Sequence, residues 1–192
     1  PLVNALRMED LAKLDAGSWK SPKFRGEPIP TFEQALELLR GRAVPVVEIK
    51  EEHIGEEVAK VIEKLGMEHE VFVQSFKAQA IEDVKRVLPG VATGFLTGER
   101  ISADPRARAE AHVAAARRAG ANAVVCHYEL AEPEYVRELE RRGVTLWVYT
   151  VNDESLWDGL IRIGVDGLIS DVPERLVPYV KERSRLEPVA SR

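Results

Sequence analysis

Two charged side chains stand in an otherwise apolar, strand-like run, Val44–Lys50. Because side chains alternate between the two faces of a strand, Glu48 and Lys50 share one face, while Val47 and Ile49 share the other. A carboxylate and an ammonium group on a buried face are costly unless they pair, bind a metal or contact a ligand. The run therefore predicts an ion pair, a ligand or metal site, or a strand that ends at Ile49 and leaves both charges in water.

Strand-like and helix-period segments alternate from residue 30 onward, in six strand–helix units. The predicted strands are Val44–Lys50, Val71–Phe76, Val91–Leu96, Ala123–His127, Thr145–Val151 and Gly167–Ser170. The predicted helices are 32–39 with Thr31 as N-cap, Gly55–Leu65, Ala78–Val87, Pro105–Arg118, Pro133–Arg142, Glu154–Ile163 and Pro173–Lys181, with Gly120, Gly143 and Gly164 as stop signals.

This alternation is typical of a parallel sheet covered by helices, either an open doubly wound sheet or a (β/α) barrel. No Gly-x-Gly-x-x-Gly motif follows a predicted strand, which argues against the dinucleotide-binding form of the open sheet. A complete barrel of eight units takes about 250 residues. We therefore predict an α/β fold, a (β/α)8 TIM barrel whose first two β/α units are lacking from these 192 residues.

The composition excludes several classes of protein. The net charge is −5, and no Lys/Arg block or basic stripe with interleaved aromatic residues is present, so we expect no nucleic-acid partner. The apolar runs are only a few residues long, which argues against a membrane span. The single cysteine, Cys126, is predicted to be a buried structural thiol. Because the sequence begins at Pro1, localisation is not readable from it; a cytoplasmic location is favoured if no signal peptide precedes Pro1.

Five motifs in order resemble the glycerophosphodiester phosphodiesterase family. The first is a Leu-Asp-x-Gly stretch that runs into Gly-Glu-x-Ile-Pro-Thr before the third barrel strand of that family. The others are a Glu-x-Lys strand, a Ser-Phe strand end, an aromatic-Thr-Val-Asn stretch and a Gly-x-Asp-Gly stretch at the last strand. In this sequence they are Leu11–Trp19 with Phe24–Thr31, Glu48–Lys50, Gln74–Phe76, Tyr149–Asn152 and Gly164–Pro173.

The resemblance implies a barrel enzyme that hydrolyses glycerophosphodiesters, small-molecule substrates, to glycerol 3-phosphate and an alcohol, with Mg²⁺ or Ca²⁺ as cofactor. In that family two histidines act as general acid and base, in a His-Arg motif after the first strand and a His-Asp motif after the second. Neither motif, nor the Glu-x-Asp pair that holds metal on the second strand, occurs in this sequence. We expect these parts to precede Pro1 in the natural polypeptide, and the given chain alone to be inactive.

The resemblance also divides the chain and gives its residues expected roles. Residues 1–30 would be an insertion segment before the third barrel strand, 31–183 barrel units three to eight, and 184–192 a flexible tail. Glu48 would bind the metal. Lys50 would neutralise phosphate oxygens. Tyr149 would form an aromatic wall against the ligand or belong to the inner core, and Asn152 would cap a loop or contact the ligand.

The four histidines of the sequence receive different predictions. His53, His69 and His112 are predicted to be solvated or edge residues. His127 ends a predicted strand, where barrel enzymes place active-site groups, so it is a candidate for lining the substrate pocket. Ser75 also ends a strand, but no histidine or acid is paired with it in the sequence, so we reject it as a nucleophile.

A second hypothesis is a catalytically inactive barrel relative that acts as a binding or scaffold module. Its support is the lack of both family histidine motifs from this sequence. The mass of the natural polypeptide distinguishes the two hypotheses, because an enzyme needs on the order of 50 further residues to supply two units. The sequence carries no indication of the oligomeric state.

Overall fold

The computed structural model describes residues 3–186, and these form an open half-barrel of six parallel strands with helices on its outer face. Each strand pairs with the next one along the chain, so the order in the sheet is the order in the sequence. The strands are β1 (Val46–Glu48), β2 (Phe72–Ser75), β3 (Ala92–Thr97), β4 (Ala123–His127), β5 (Thr145–Tyr149) and β6 (Gly167–Leu168). The helices are α1 (Met8–Leu11), α2 (Phe32–Leu39), α3 (Gly55–Leu65), α4 (Ala78–Val87), α5 (Pro105–Arg118), α6 (Pro133–Arg141), α7 (Glu154–Arg162) and α8 (Pro173–Leu186).

Local sequence signals account for most helix ends. Thr31 caps α2 through a complete capping box, in which its side chain accepts from the Gln34 N–H and the Gln34 side chain accepts from the Thr31 N–H. Gly120 and Gly143 follow α5 and α6 with φ values of 75° and 65°, a left-handed conformation that favours glycine. The N-cap and the stop signals predicted at these positions are confirmed.

The sheet separates two layers of core. On its outer face, alternate residues such as Val73 and Val124 pack against the helices. On its inner face the core is smaller, and the rings of Phe72 and Trp147 stack with centroids 4.4 Å apart. Gly94 lies between them in the sheet, and a Cβ there would meet the Phe72 ring at 2.7 Å. The inner face is therefore filled by large side chains that reach across the sheet from β2 and β5.

Several predicted boundaries were wrong, among them that of Thr145–Val151, which is a strand only over Thr145–Tyr149. The predicted strand Val44–Lys50 is paired only over Val46–Glu48, and Gly167–Ser170 only over Gly167–Leu168. Among the described strands, β1 and β6 each have one neighbour, so fewer backbone groups hold their ends. Helix α8 continues to Leu186, so residues 184–186 of the predicted flexible tail are helical. Residues 187–192 of that tail lie outside the described residues.

The segment before α2 is organised by one carboxylate. Asp15 accepts hydrogen bonds from the N–H groups of Gly17, Ser18 and Gly26 at 2.8–3.0 Å. These bonds and one from the Ser18 hydroxyl lower the pKa of Asp15, the hydroxyl bond most. Trp19 is 82% exposed, so it does not pack into the barrel core. The placement of residues 1–30 as a family insertion stays a prediction.

None of the helices within residues 3–186 is long and apolar enough to cross a membrane.

His112 on α5 was predicted to lie at the surface, and this was wrong. Its side chain is 3% exposed, with Nδ1 2.8 Å from the Tyr135 hydroxyl and Nε2 3.4 Å from Thr97 Oγ1. It lies three residues after Ala109 and four before Ala116, both buried, so helical spacing places it on the inner side of α5. The small alanines of this helix give a weak apolar stripe, so the sequence pattern did not reveal that His112 is buried.

Arg108, one turn before His112, ties together the loops that follow β3 and β4. Its side chain is fully buried, and it donates to the Ser102 carbonyl at 2.7 Å and to the Leu130 carbonyl at 3.4 Å. The same guanidinium forms an ion pair with Glu132. A buried charge held by carbonyls and a carboxylate fixes two loops at the carboxyl end of the sheet.

We expect His112→Gln to flatten the pH dependence of stability. Burial, and next the charge of Arg108, lowers the pKa of His112 from its usual 6.5. Below that value the unfolded chain binds a proton that the folded chain does not, so the free energy of unfolding falls as pH drops from about 7 to about 5.5. Urea unfolding at several pH values measures the slope. His69→Gln, at an exposed turn, should keep the wild-type slope, and equal slopes for all three proteins would contradict a buried neutral His112.

Candidate active site

The inner face of the sheet carries several polar side chains toward the carboxyl ends of its strands. Residues two apart share a face, so Gln74 lies on the same side as Phe72, and Tyr149 on the same side as Trp147. The parallel register places Glu48 beside Gln74, and His127 beside Tyr149. The sequence-predicted residues Glu48, His127 and Tyr149 are therefore brought to one edge of the half-barrel, where barrel enzymes place their chemistry.

Glu48 and Lys50 form an ion pair with Nζ 2.6 Å from Oε1. The Lys50 side chain is 76% exposed and that of Glu48 is 32% exposed, so water screens the pair and it contributes about 0–1 kcal/mol. Two of the alternatives that the sequence left open hold together: the ion pair forms, and both charges reach water at the end of the strand. A metal or ligand at this position stays a prediction. Because the pair is weak, a ligand could separate the two groups at little cost in stability.

Ser75 holds the backbone between Glu48 and Lys50. Its hydroxyl is fully buried, donates to the Ile49 carbonyl at 2.6 Å and accepts from the Lys77 N–H at 3.0 Å. The Ile49 N–H donates in turn to the Gln74 carbonyl at 2.9 Å. Ser75 therefore extends the attachment of β1 to β2 by one residue beyond the paired strand. Sequence reasoning considered Ser75 only as a nucleophile and missed this positioning role.

Three rings form an aromatic group at the same edge. The ring of Tyr149 contacts His127 and Phe76 edge-on, at centroid distances of 5.9 and 6.1 Å. Its hydroxyl donates to the Thr97 carbonyl at 2.9 Å, which fixes the ring. Burial, then Cys126 and Glu48, raises the pKa of Tyr149, so the hydroxyl is a hydrogen-bond donor near neutral pH. Sequence reasoning did not assign Phe76 to the site, although it ends a strand within a family motif.

Cys126 lies one residue before His127, on the opposite face of β4. Its thiol is fully buried, and burial raises its pKa to about 12. The thiol is thus protonated and inert, as the sequence analysis predicted.

Asn152 links the loops that follow β5 and β6. Its Nδ2 donates to Asp171 Oδ2 at 2.9 Å, and its Oδ1 accepts from the Asp171 N–H at 2.8 Å and from the Ser170 hydroxyl at 3.1 Å. The amide is engaged at both ends in loop contacts. Of the two roles considered for Asn152, this geometry favours loop capping; contact with a ligand stays a prediction.

The metal prediction at Glu48 has limited support from the described residues. Within residues 3–186, no three His, Cys, Asp or Glu side chains come together as a possible metal site. Mg²⁺ and Ca²⁺ take six or more oxygen ligands, part of them water. Glu48 offers one carboxylate, and the neighbouring amide of Gln74 offers one further oxygen. These residues alone do not fit a divalent cation.

A separate hollow of about 190 Å³ lies at the opposite, amino-terminal end of the sheet. It is lined by Leu139 of α6 and by residues of the loops before β5 and β6, among them Gly143, Gly164 and Asp166. Barrel enzymes carry their chemistry at the other end, and the polar residues described above lie there. The hollow is not part of the candidate site.

Comparison with known proteins gives one consistent result. The sequence profile of the glycerophosphoryl diester phosphodiesterase family matches residues 2–175. A glycerophosphodiester phosphodiesterase of Caldanaerobacter subterraneus subsp. tengcongensis is 32% identical over 186 residues, which is 94% of this chain and 73% of that protein.

Two solved structures share the fold. A phosphodiesterase of Oleispira antarctica, described in complex with the product sn-glycerol-3-phosphate, has a TM-score of 0.78 and 23% identity, and the match covers 94% of this chain and 73% of that one. A glycerophosphodiester phosphodiesterase of Parabacteroides distasonis has a TM-score of 0.73 and 22% identity, over 93% and 72% of the two chains. At this level of identity the likenesses show the fold.

We expect Ser75→Ala to lower the free energy of unfolding by about 1–2 kcal/mol, because it leaves the Ile49 carbonyl without its donor. Urea unfolding measures the loss, and hydrogen exchange at the Lys77 amide should become faster. Ser155→Ala removes a hydroxyl that bonds only at the exposed start of α7, so it should cost less. Equal losses for the two variants would contradict the role assigned to Ser75.

Proposed function

This chain belongs to the glycerophosphoryl diester phosphodiesterase family, and we propose that it takes part in the cation-dependent hydrolysis of glycerophosphodiesters to glycerol 3-phosphate and an alcohol. The observation that supports this best is the Glu48–Lys50 pair at the carboxyl end of β1, beside the aromatic group of Phe76, His127 and Tyr149. A cationic group, an oxygen ligand and apolar rings at one edge suit a small phosphodiester.

Lys50 is proposed to bind the phosphate. Its ammonium group can turn from Glu48 to a phosphate oxygen, because the existing pair is largely exposed. An ammonium group beside the phosphorus would stabilise the negative charge that builds up in the transition state. The relative from Oleispira antarctica is described with glycerol 3-phosphate bound, which supports the same ligand class for this chain.

Glu48 and Tyr149 are proposed to complete the subsite. The Glu48 carboxylate is one oxygen ligand for the Mg²⁺ or Ca²⁺ that the family uses, and the other ligands would come from outside the described residues. The Tyr149 ring, fixed by its bond to the Thr97 carbonyl, would pack against the apolar edge of the glycerol or the alcohol group. His127 would line this subsite, since its side chain is 38% exposed at the end of β4.

The general acid and base are proposed to lie outside the described residues. Proton transfer to the leaving alkoxide needs a titrating group within hydrogen-bond reach. Among the four histidines, His112 is buried behind the sheet and His69 precedes β2 at its amino end. His53 is exposed in the loop that follows β1, and only His127 contacts the aromatic group of the site. The 192 residues alone should therefore bind ligand without turning it over.

The alternative is a binding or scaffold module without catalysis. The observation that favours it is that residues 3–186 bring together neither a metal-binding cluster nor a pair of histidines at the strand ends. Intact mass and N-terminal sequencing of the natural protein distinguish the two. A mass well above 21.4 kDa with a His-Arg-Gly near the start favours the enzyme. A mass of 21.4 kDa beginning at Pro1 favours the module.

We expect Lys50→Met to weaken the binding of glycerol 3-phosphate by about tenfold or more, because it removes a charged hydrogen-bond donor to phosphate. Calorimetric titration in the presence of Ca²⁺ measures this. Stability should change little, since the Lys50 pair is exposed. Lys60→Met removes a comparable exposed pair on α3 and should bind as wild type. Equal affinities for all three proteins would contradict the phosphate role of Lys50.

A further inference from the structure

Gln74 is a buried polar residue at the candidate site, and its amide oxygen receives no hydrogen bond from any other described residue. Its side chain is 7% exposed, and its Oε1 has no hydrogen-bond partner within the described part of the chain. The residue lies on the inner face of β2, two positions after Phe72, whose ring belongs to the inner core. Its neighbour in the register is Glu48. The amide is therefore buried directly beside the proposed phosphodiester subsite.

A buried acceptor without a donor is costly. Leaving one unpaired costs about 1–3 kcal/mol, and buried polar groups in folded proteins are nearly always paired. The neighbouring Ser75, also buried, is paired twice by the chain itself. Gln74 differs in that its partner must come from elsewhere. At the open edge of the sheet, a bound ligand is the natural source of that donor.

The chemistry of the donor follows from the surroundings. The Oε1 atom of Gln74 is a neutral acceptor, so it pairs with a hydrogen-bond donor rather than with the negatively charged phosphate oxygens. The proposed phosphate meets a positive charge at Lys50, and the proposed cation meets a charged carboxylate at Glu48. The remaining part of the ligand is the glycerol moiety, whose hydroxyl groups are neutral donors that match a neutral acceptor.

We propose that Gln74 is a specificity-determining residue whose Oε1 accepts a hydrogen bond from a hydroxyl group of the glycerol moiety. This rests on the proposed function, since it assumes that a glycerol phosphate binds at this edge. A site built around a buried acceptor rejects an analogue that lacks the donor, because the acceptor is then left unpaired. Gln74 thus selects polyol phosphates over alkyl phosphates of the same length.

The test is Gln74→Met, which keeps the length and apolar volume of the side chain but removes the amide. The probes are glycerol 3-phosphate, propyl phosphate, which lacks both hydroxyl groups, and Ca²⁺ alone, each titrated calorimetrically against the 192-residue chain. Wild type should bind glycerol 3-phosphate about fivefold to tenfold more tightly than propyl phosphate, and the variant should bind both with similar affinity. Affinity for propyl phosphate and for Ca²⁺ should be unchanged.

A second readout separates a ligand contact from a structural role. Replacing an unpaired buried amide with an apolar group should leave the thermal midpoint unchanged or raise it. The control Gln79→Met changes an exposed residue of α4 that bonds Asp83 at 2.8 Å, and it should leave ligand preference unchanged. A lowered midpoint with equal loss for all probes would overturn the inference, as would weakened binding of Ca²⁺ alone.

The outcomes also distinguish this inference from the function on which it rests. If Lys50→Met weakens the binding of glycerol 3-phosphate while Gln74→Met retains the wild-type preference, the inference on Gln74 is wrong and the phosphodiester site stands. If the wild-type chain binds neither phosphate compound, the phosphodiester site and the inference both fall.

Discussion

The parallel register of the six strands is the constraint on which the rest of the structure depends. Because neighbouring strands run in the same direction, their carboxyl ends meet at one edge, and the alternation of side chains decides what faces inward there. The stacked rings of Phe72 and Trp147 fill the inner face, and the next inward residues, Gln74 and Tyr149, stand above them. A shift of one residue in β2 would exchange Gln74 for Ser75 and remove the site.

Polar side chains near this edge maintain its geometry. Ser75 attaches the end of β1, and Arg108 and Asn152 connect loops that follow neighbouring strands. Ser75 and Asn152 direct their hydrogen bonds to the backbone or to another loop, and the Arg108 guanidinium does the same except at Nε, which has no partner within the described residues. All three side chains therefore hold the geometry of the edge. Gln74 and Lys50 differ from them. The Gln74 amide oxygen has no partner within the described residues, and the Lys50 ammonium group is held only by an exposed ion pair.

The bounds of several helices and of a central strand were predicted more accurately than those of the edge strands. Helices α3, α4 and α5 and strand β4 have the predicted bounds. Local signals mark α3 and α5, since Gly66 ends α3 and Pro105 and Gly120 mark the two ends of α5. Strands β1 and β6 are shorter than predicted, since strand length depends on a neighbour that no local pattern reveals. The burial of His112 is visible only once α5 is seen to pack on α6. The missing partner of Gln74 is visible only once the register of the strands is known. Glu48, Lys50 and Tyr149 were identified through family motifs, and their common edge followed from the strand order.

The carboxyl ends of the strands around Glu48 are proposed to form part of the active site for phosphodiester hydrolysis. The most direct measurement is the release of glycerol 3-phosphate from glycerophosphocholine by the natural protein with Mg²⁺ or Ca²⁺, compared between wild type, Glu48→Gln and the exposed control Glu63→Gln. We expect release by wild type and the control, and a loss of about a hundredfold or more in Glu48→Gln, since changes to the ligands of a metal site have large effects on rate. Absence of release by the wild-type protein, or equal rates for all three, would contradict it.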